Sequence, residues 1–505
     1  MLGCGSLILR AIGVAFNAHV SSKIGAEGMG LLTLVSGIYG FAITFACSGI
    51  NLAVVRLVSI DLAKGEGRGG KIMRGAILYC LGFSALAFAI LFSFSGVIGE
   101  KILGDVRVIR SIKLFAISLP AISISSAING YFCATRRVYK NVIVQFLEQG
   151  IRLGIVAYLL ALLAPAGLEN AILAVIGGGV ISELLSATLS GILCLFDLKS
   201  GNCARCVENT SETVGEICKI SLPVAISAYA RSALSTLEHL AIPWGLRRCG
   251  LGYEASIASY GVLHGMVIPL LFFPSAMLGA FSSLLVPELS EAYAKGSYAR
   301  IRYIVSRVFA LSLLFSVGVS GIFVSFSHEI GLYLYGSHEA GEYIRLLAPL
   351  IPLMYLDGAV DAMLKGLGEQ IYTMRVNISD SLISLLLIVI LLPKMGISGY
   401  VVIIFITELF NTSFSIMRLL NLTGVKTPIV KWILKPLVSI ILSTVIVRFL
   451  FDFNIMTAIF GIIAYGKGAV FLEIGISAIL YIIISRVIGA ISREDIEWGR
   501  SLLLD

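Results

Sequence analysis

Long apolar blocks alternate with short polar breaks along the whole chain. The blocks fall near 1–20, 29–50, 73–98, 114–133, 142–164, 168–196, 218–245, 257–284, 303–327, 344–364, 371–392, 396–417, 427–450 and 468–491. Each holds about 20 residues or more, enough for a helix to cross a hydrocarbon core about 30 Å thick. The runs are continuous rather than alternating every second residue, so they predict helices and not the strands of a membrane barrel. Pro120, Pro223, Pro269, Pro274 and Pro349 lie within blocks, where membrane helices tolerate them and often bend. The pattern predicts an all-α integral membrane protein with about fourteen transmembrane helices.

Composition removes the soluble alternative. Of 505 residues 58% are hydrophobic and 13% charged, against roughly 25% charged in an ordinary globular domain. That leaves too little charge for a polar skin. The first block has no basic segment before it, so it reads as a retained span and not as a cleaved signal.

The net charge of +8 is explained by loops facing the cytoplasm, where Lys and Arg gather in membrane proteins. No basic tract with interleaved aromatics stands out, which argues against a nucleic-acid partner. With a cytoplasmic N-terminus, the inner segments hold twenty-three Lys and Arg and the outer ones eleven. The bias places both termini in the cytoplasm and favours an even number of spans. Nine cysteines are scattered, and Cys47, Cys80 and Cys194 sit within spans as small hydrophobes. Cys203 and Cys206 form one C-x-x-C, which without a second pair or a nearby His falls short of a metal site.

The longest polar interruption, from Lys199 to Glu216, divides the first twelve spans near their midpoint. The expected organisation is an N-terminal lobe over 1–198, a cytoplasmic linker over 199–217, a second lobe over 218–420, and two further helices with a short tail over 421–505. A faint internal echo supports two halves: Ala134-Thr-Arg-Arg-Val-Tyr139 before the fifth span, and Gly368-Glu-Gln-Ile-Tyr372 before the eleventh. Many transporters are built from such repeats.

A charge inside a bilayer costs at least ~2.5–3.5 kcal/mol on insertion scales, so it normally faces a partner or water. The spans carry Arg10, Glu148, Arg152, Glu183, Arg231, Glu238, Asp357, Asp361, Asp380, Glu408 and Glu473, with His239 and His264. So many charges predict a polar cavity. Arg10 and Arg231 lie mid-span in the first helix of each half. A guanidinium keeps its charge at cellular pH and grips phosphate through two parallel hydrogen bonds. With Arg56, Glu148 and Arg152 they make the expected set for an anionic head group. The competing reading is internal pairing, of Arg231 with Glu238 and of Glu148 with Arg152 at i, i+4. Glu238, Asn377, Asp380 and Glu408, with Asn411 beside them, are the expected coupling-ion set: converging oxygens suit a monovalent cation or a shared proton. Helix-to-helix hydrogen bonding is the plainer alternative there, and for His264 a satisfied histidine in the bundle is the alternative to a proton site.

No P-loop, H-E-x-x-H or G-x-S-x-G with triad partners occurs, so nothing points to an enzyme or to direct use of ATP. No cofactor is expected beyond Na+ or H+ as the driving ion.

Residues 24–59, IGAEGMGLLTLVSGIYGFAITFACSGINLAVVRLVS, resemble the opening of the polysaccharide-exporter and stage V sporulation protein B family. That family lies within the multidrug/oligosaccharidyl-lipid/polysaccharide exporter superfamily. YGVLHGMVIPLLFFPSAMLGAFSSLLVPELSEA (260–292) carries the family's wording most fully, and residues 130–152 and 364–380 match its other recurrent segments. The resemblance spans essentially the whole chain. It implies two six-helix lobes in a V plus two C-terminal helices. It also implies movement of an undecaprenyl-pyrophosphate-linked saccharide between leaflets by alternating access, by a monomer among the lipids of a bacterial plasma membrane. Arg10 falls at a position matching a cavity arginine of the related lipid II flippases. Phe16 stands where they place a second arginine in the first helix, and the eighth helix has none, so the resemblance stops short of lipid II. Their sodium site maps onto Glu238, Asn377 and Asp380. The rival expectations are a cation-coupled multidrug exporter of the same superfamily and a non-transporting scaffold for spore assembly.

Overall fold

A computed structural model describes residues 2–65, 67–200, 210–425, 428–452 and 467–491. The Cys203–Cys206 pair, residues 201–209 of the 199–217 linker, and the tail with Arg493 and Arg500 lie outside the described residues. Within them every regular element is a helix.

The long elements are α1 (Leu2–Cys47), α2 (Ile50–Lys64), α3 (Gly69–Ser93), α4 (Ile109–Ala134), α5 (Val138–Leu163), α6 (Leu168–Ser200) and α7 (Thr210–Arg248). An interrupted helix, α8 (253–294), follows; it passes through a π-helical turn at Gly261–Val267 and a 3-10 turn at Phe273–Ser275. Then come α9 (Tyr298–Ser325), the short α10 (Ser327–Tyr335) and α11 (His338–Leu347), α12 (Ile351–Gly366), α13 (Gln370–Thr423), α14 (Lys435–Asp452) and α15 (Lys467–Val487).

Eleven helical stretches among the described residues are long and apolar enough to cross a membrane. Two of them run 55 and 54 residues, about 80 Å at 1.5 Å per residue and far more than one bilayer. Both break at a glycine: Gly25 (φ 68°, ψ −176°) in α1 and Gly396 (φ 61°, ψ −142°) in α13. That region of backbone space is closed to residues with a Cβ, so each glycine turns one continuous helix into two arms. The paired blocks expected at 1–20 and 29–50, and at 371–392 and 396–417, meet at these breaks. Helix α7 is 39 residues long but carries Arg231, Glu238 and two prolines, and it is not among the eleven.

The chain packs as two compact units. One comprises Met1–Ser22, Arg248–Gly250 and Val262–Asp505, the other Lys23–Arg247 and Leu251–Gly261. This division differs from one at the 199–217 linker, and α7 supplies the reason. Ile217 is fully buried in a core with Ile50, Met73 and Phe132. A Cβ on Gly49 would stand 2.9 Å from the Ser221 carbonyl oxygen, and Thr236 Oγ1 lies 3.2 Å from the Gly37 carbonyl oxygen it donates to. Helix α7 therefore packs with the helices before the linker, and the first arm of α1 with those after it.

The later unit has its own core of Leu289, Ile304, Val305, Val360, Met363 and Leu419. Helices α14 and α15 dock on α9: Tyr481 donates to the Leu314 carbonyl oxygen at 2.5 Å, and its ring lies on Gly318. Small residues let membrane helices approach this closely.

Candidate functional site

In the later unit, Arg10 is exposed on the first arm of α1 and pairs with no carboxylate among the described residues. Its Nη1 stands 3.5 Å from the Phe272 carbonyl oxygen and 3.4 Å from Ser275 Oγ. The Phe272 carbonyl is open because α8 tightens to a 3-10 turn over Phe273–Ser275, where the Ala276 amide donates to Phe273 and Pro274 instead. Ser275 in turn donates to Phe272 at 2.6 Å, and Tyr355 of α12 anchors the same turn by donating to the Leu271 carbonyl oxygen at 2.5 Å. These are neutral acceptors, so the guanidinium keeps its full charge and donors to spare.

The same unit gathers acids from α12 and from both arms of α13. Asn411 donates to Asn377 Oδ1 at 3.2 Å, Asn377 reaches Asp361 Oδ2 at 3.5 Å, and Thr412 donates to Glu408 Oε1 at 3.0 Å. The negative charges of Asp357 and Asp380 act on Glu408, and that of Asp361 acts on Asp357. Lys365 is the nearby cation, 3.6 Å from Asp361. One buried oxygen each of Asp357, Asp361 and Asn411 accepts no hydrogen bond. Four carboxylates, with the Lys365 ammonium beside Asp361 at the edge, concentrate negative charge here. Such a site is relieved by taking up protons or a cation.

Three of the four residues expected for the coupling ion are thus together: Asn377, Asp380 and Glu408. Glu238 belongs to the other unit, where its charge acts on Tyr260 and the next residue, His239, shares a hydrogen bond of 3.0 Å with the Tyr260 hydroxyl. Asp357 and Asp361 join instead. Their i, i+4 spacing on one face of α12 was the available signal.

In the unit of α2 to α7, Arg56 and Arg231 are exposed and form no ion pair among the described residues. The Arg231–Glu238 pairing is therefore not made; seven residues along a helix is about 10 Å, beyond a direct contact. Nor do Glu148 and Arg152 form the local pair their spacing suggests. Arg152 crosses instead to α6, where its Nη2 lies 3.1 Å from the position of a Cβ on Gly179. The glycine makes room, and one turn further along α6 is Glu183, within range of the charges of both Arg152 and Glu148. Glu183 Oε2 accepts from the Tyr39 hydroxyl at 2.9 Å, and that hydroxyl also meets Ser118 Oγ. The expected head-group residues of this unit are thus of two kinds: exposed guanidiniums at 56 and 231, and an internal network around Glu183.

His264 sits in the π-helical turn of α8 and shares a hydrogen bond of 2.7 Å with Tyr400. That is the satisfied-histidine arrangement.

Comparison with known proteins adds the following. A family model described as polysaccharide biosynthesis protein matches residues 2–247, and the MatE model matches residues 250–390. Stage V sporulation protein B of Bacillus subtilis is 27% identical over 408 residues, covering 79% of this chain and 78% of that protein. Lipid II flippase MurJ of the same organism is 23% identical over 437 residues, covering 79% and 77%. Among solved structures, lipid II flippase MurJ in an inward closed conformation aligns with a TM-score of 0.68 at 13% identity, over 95% of this chain and 96% of that one. An inward-facing multidrug resistance MATE family transporter aligns with a TM-score of 0.63 at 14% identity, over 83% and 96%. These structural likenesses establish the fold.

Proposed function

We propose, from the premise that this chain belongs to the polysaccharide-exporter and stage V sporulation protein B family of the multidrug/oligosaccharidyl-lipid/polysaccharide exporter superfamily, that it is a flippase for a lipid-linked saccharide. The cargo is an undecaprenyl-pyrophosphate-linked oligosaccharide or peptidoglycan precursor, moved between leaflets of a bacterial plasma membrane by alternating access. The names of its relatives, a lipid II flippase and a sporulation protein, support that class of cargo. The topology carries both termini in the cytoplasm, and the working unit is the monomer.

The observation that carries the reading is Arg10. It is a permanent cation in an apolar helix, held by a carbonyl and a hydroxyl and neutralised by no acid among the described residues. A group left charged at that cost has an anion to meet, and a pyrophosphate offers two oxygens to its planar fork. Arg56 and Arg231, equally unpaired among the described residues, extend the same chemistry. The acids of α12 and α13 serve the driving ion, Na+ or H+, in place of ATP.

Arg10→Ala is expected to abolish rescue of a flippase-depleted strain while membrane level and thermal stability stay near those of the parent. Full rescue by a well-expressed variant overturns the head-group role.

The second reading, a cation-coupled drug exporter, is favoured by the MatE match over 250–390, which contains most of the acidic cluster. Dye efflux from vesicles without movement of lipid would select it.

A further inference from the structure

The chain has five histidines, and two of them face each other outside the apolar spans or at their edge. His328 stands in the first turn of α10 and His338 opens α11. Their ring centroids are 4.8 Å apart and the planes meet at 40°. Both are exposed, and neither ring makes a hydrogen bond to the described residues.

The backbone holds this juxtaposition. Gly336 (φ 65°) closes α10 with a left-handed residue, and Ser337 caps α11 by accepting from the Ala340 amide at 3.1 Å. The Ser337 amide donates back to Gly331 at 3.2 Å. Gly341 lets the start of α11 lie against the start of α10: a Cβ there would stand 3.1 Å from His328 Cα and from the Ser327 carbonyl oxygen. The two imidazoles are thus presented side by side by a packed corner of backbone and not by free rotation of two loops.

A tetrahedral metal binds imidazole nitrogen at about 2.0–2.1 Å, which sets two ligating rings with their centroids about 5 Å apart. The observed separation fits that spacing, whereas a tight face-to-face stack would leave no room for an ion. We propose that His328 and His338 form a two-histidine site for a divalent transition metal ion of the zinc or copper class, the ions for which neutral imidazole is the preferred ligand. No third His, Cys, Asp or Glu completes a cluster among the described residues, so solvent fills the remaining positions and the site is open and exchangeable. On the topology proposed above, this corner faces the outside of the cell, and the ion ties the first turn of α10 to the span that begins with α11.

The test is zinc titration of the full-length, untagged protein in detergent, followed by calorimetry and thermal unfolding. The parent is expected to bind one zinc that His328→Ala and His338→Ala each weaken by about tenfold or more, since the loss of an outer partner alone typically costs about 10–100-fold. Zinc is also expected to raise the unfolding temperature of the parent and of neither variant. Any zinc held by Cys203 and Cys206 is unaffected by these substitutions and counts as a separate site. Both side chains are exposed, so both variants should fold as the parent does. The same zinc stoichiometry and affinity in His328→Ala as in the parent overturns the proposal, as does a parent that binds no zinc.

Discussion

A guanidinium or carboxylate in an apolar helix costs at least ~2.5–3.5 kcal/mol on insertion scales, and this chain resolves that cost differently at different residues. Arg152 is drawn toward Glu183 across Gly179, an internal solution. Arg10 is held by Phe272 and Ser275 without an acid, which leaves its charge available. The sequence made both visible as intramembrane charges but could not distinguish them, because the distinction rests on where a neighbouring helix offers a carbonyl or a carboxylate. Spacing misled in the same way: Glu148 and Arg152 at i, i+4 look like partners, yet Arg152 lies against Gly179 of α6, within range of the Glu183 charge. For the ion, Glu408 is the residue at which the charges of Asp357 and Asp380 converge. Glu408→Gln keeps the shape and removes one negative charge, so it is expected to cut gradient-driven transport by about tenfold or more while leaving cargo binding within about twofold. Cargo binding and transport measured on the same preparation check this. Equal loss of both would move Glu408 into a structural role.

At the scale of elements, the spans were legible because their length is set by the bilayer and not by tertiary detail. Helix breaks were legible too, though not their agent. Gly25 and Gly396 are two among 52 glycines, and only their backbone angles single them out. Gly25→Ala is expected to destabilise by about 1–3 kcal/mol, even though a Cβ there would touch nothing within 4 Å. Gly40→Ala, later in the same helix and equally unobstructed, should be neutral or stabilising by up to about 1 kcal/mol. Thermal unfolding in detergent separates the two; a neutral Gly25→Ala would show that the break does not depend on glycine. The internal echo also has a structural counterpart with its charges exchanged. At the start of α5, Arg137 and Lys140 pair with Asp197 near the end of α6, Arg137 at 2.8 Å; at the start of α13, Glu369 pairs at 2.8 Å with Arg418 near that helix's end. Each clasp joins two consecutive spans of its own half.

For the molecule as a whole, the apolar blocks and the family wording led to the fold, while the grouping of helices into units was beyond them. The polar linker at 199–217 separates the chain in sequence, yet Ile217, Ser221 and Thr236 of α7 pack against residues of α1 to α3. Polarity of a loop reports exposure to water and not which side chains interlock. In the acidic set Asn377, Asp380 and Glu408 lie together, Glu238 belongs to the other unit, and Asp357 and Asp361 join the group. The central claim joins these levels: an uncompensated arginine receives the anionic head group, and a carboxylate cluster supplies the drive. Its most direct test is movement of a polyprenyl-pyrophosphate-linked saccharide across vesicles containing the purified chain, with an imposed Na+ or H+ gradient. The expected result is transport that follows the gradient and is lost in Arg10→Ala; transport at parental rate in that variant, or none under any gradient by folded parent protein, would contradict the account.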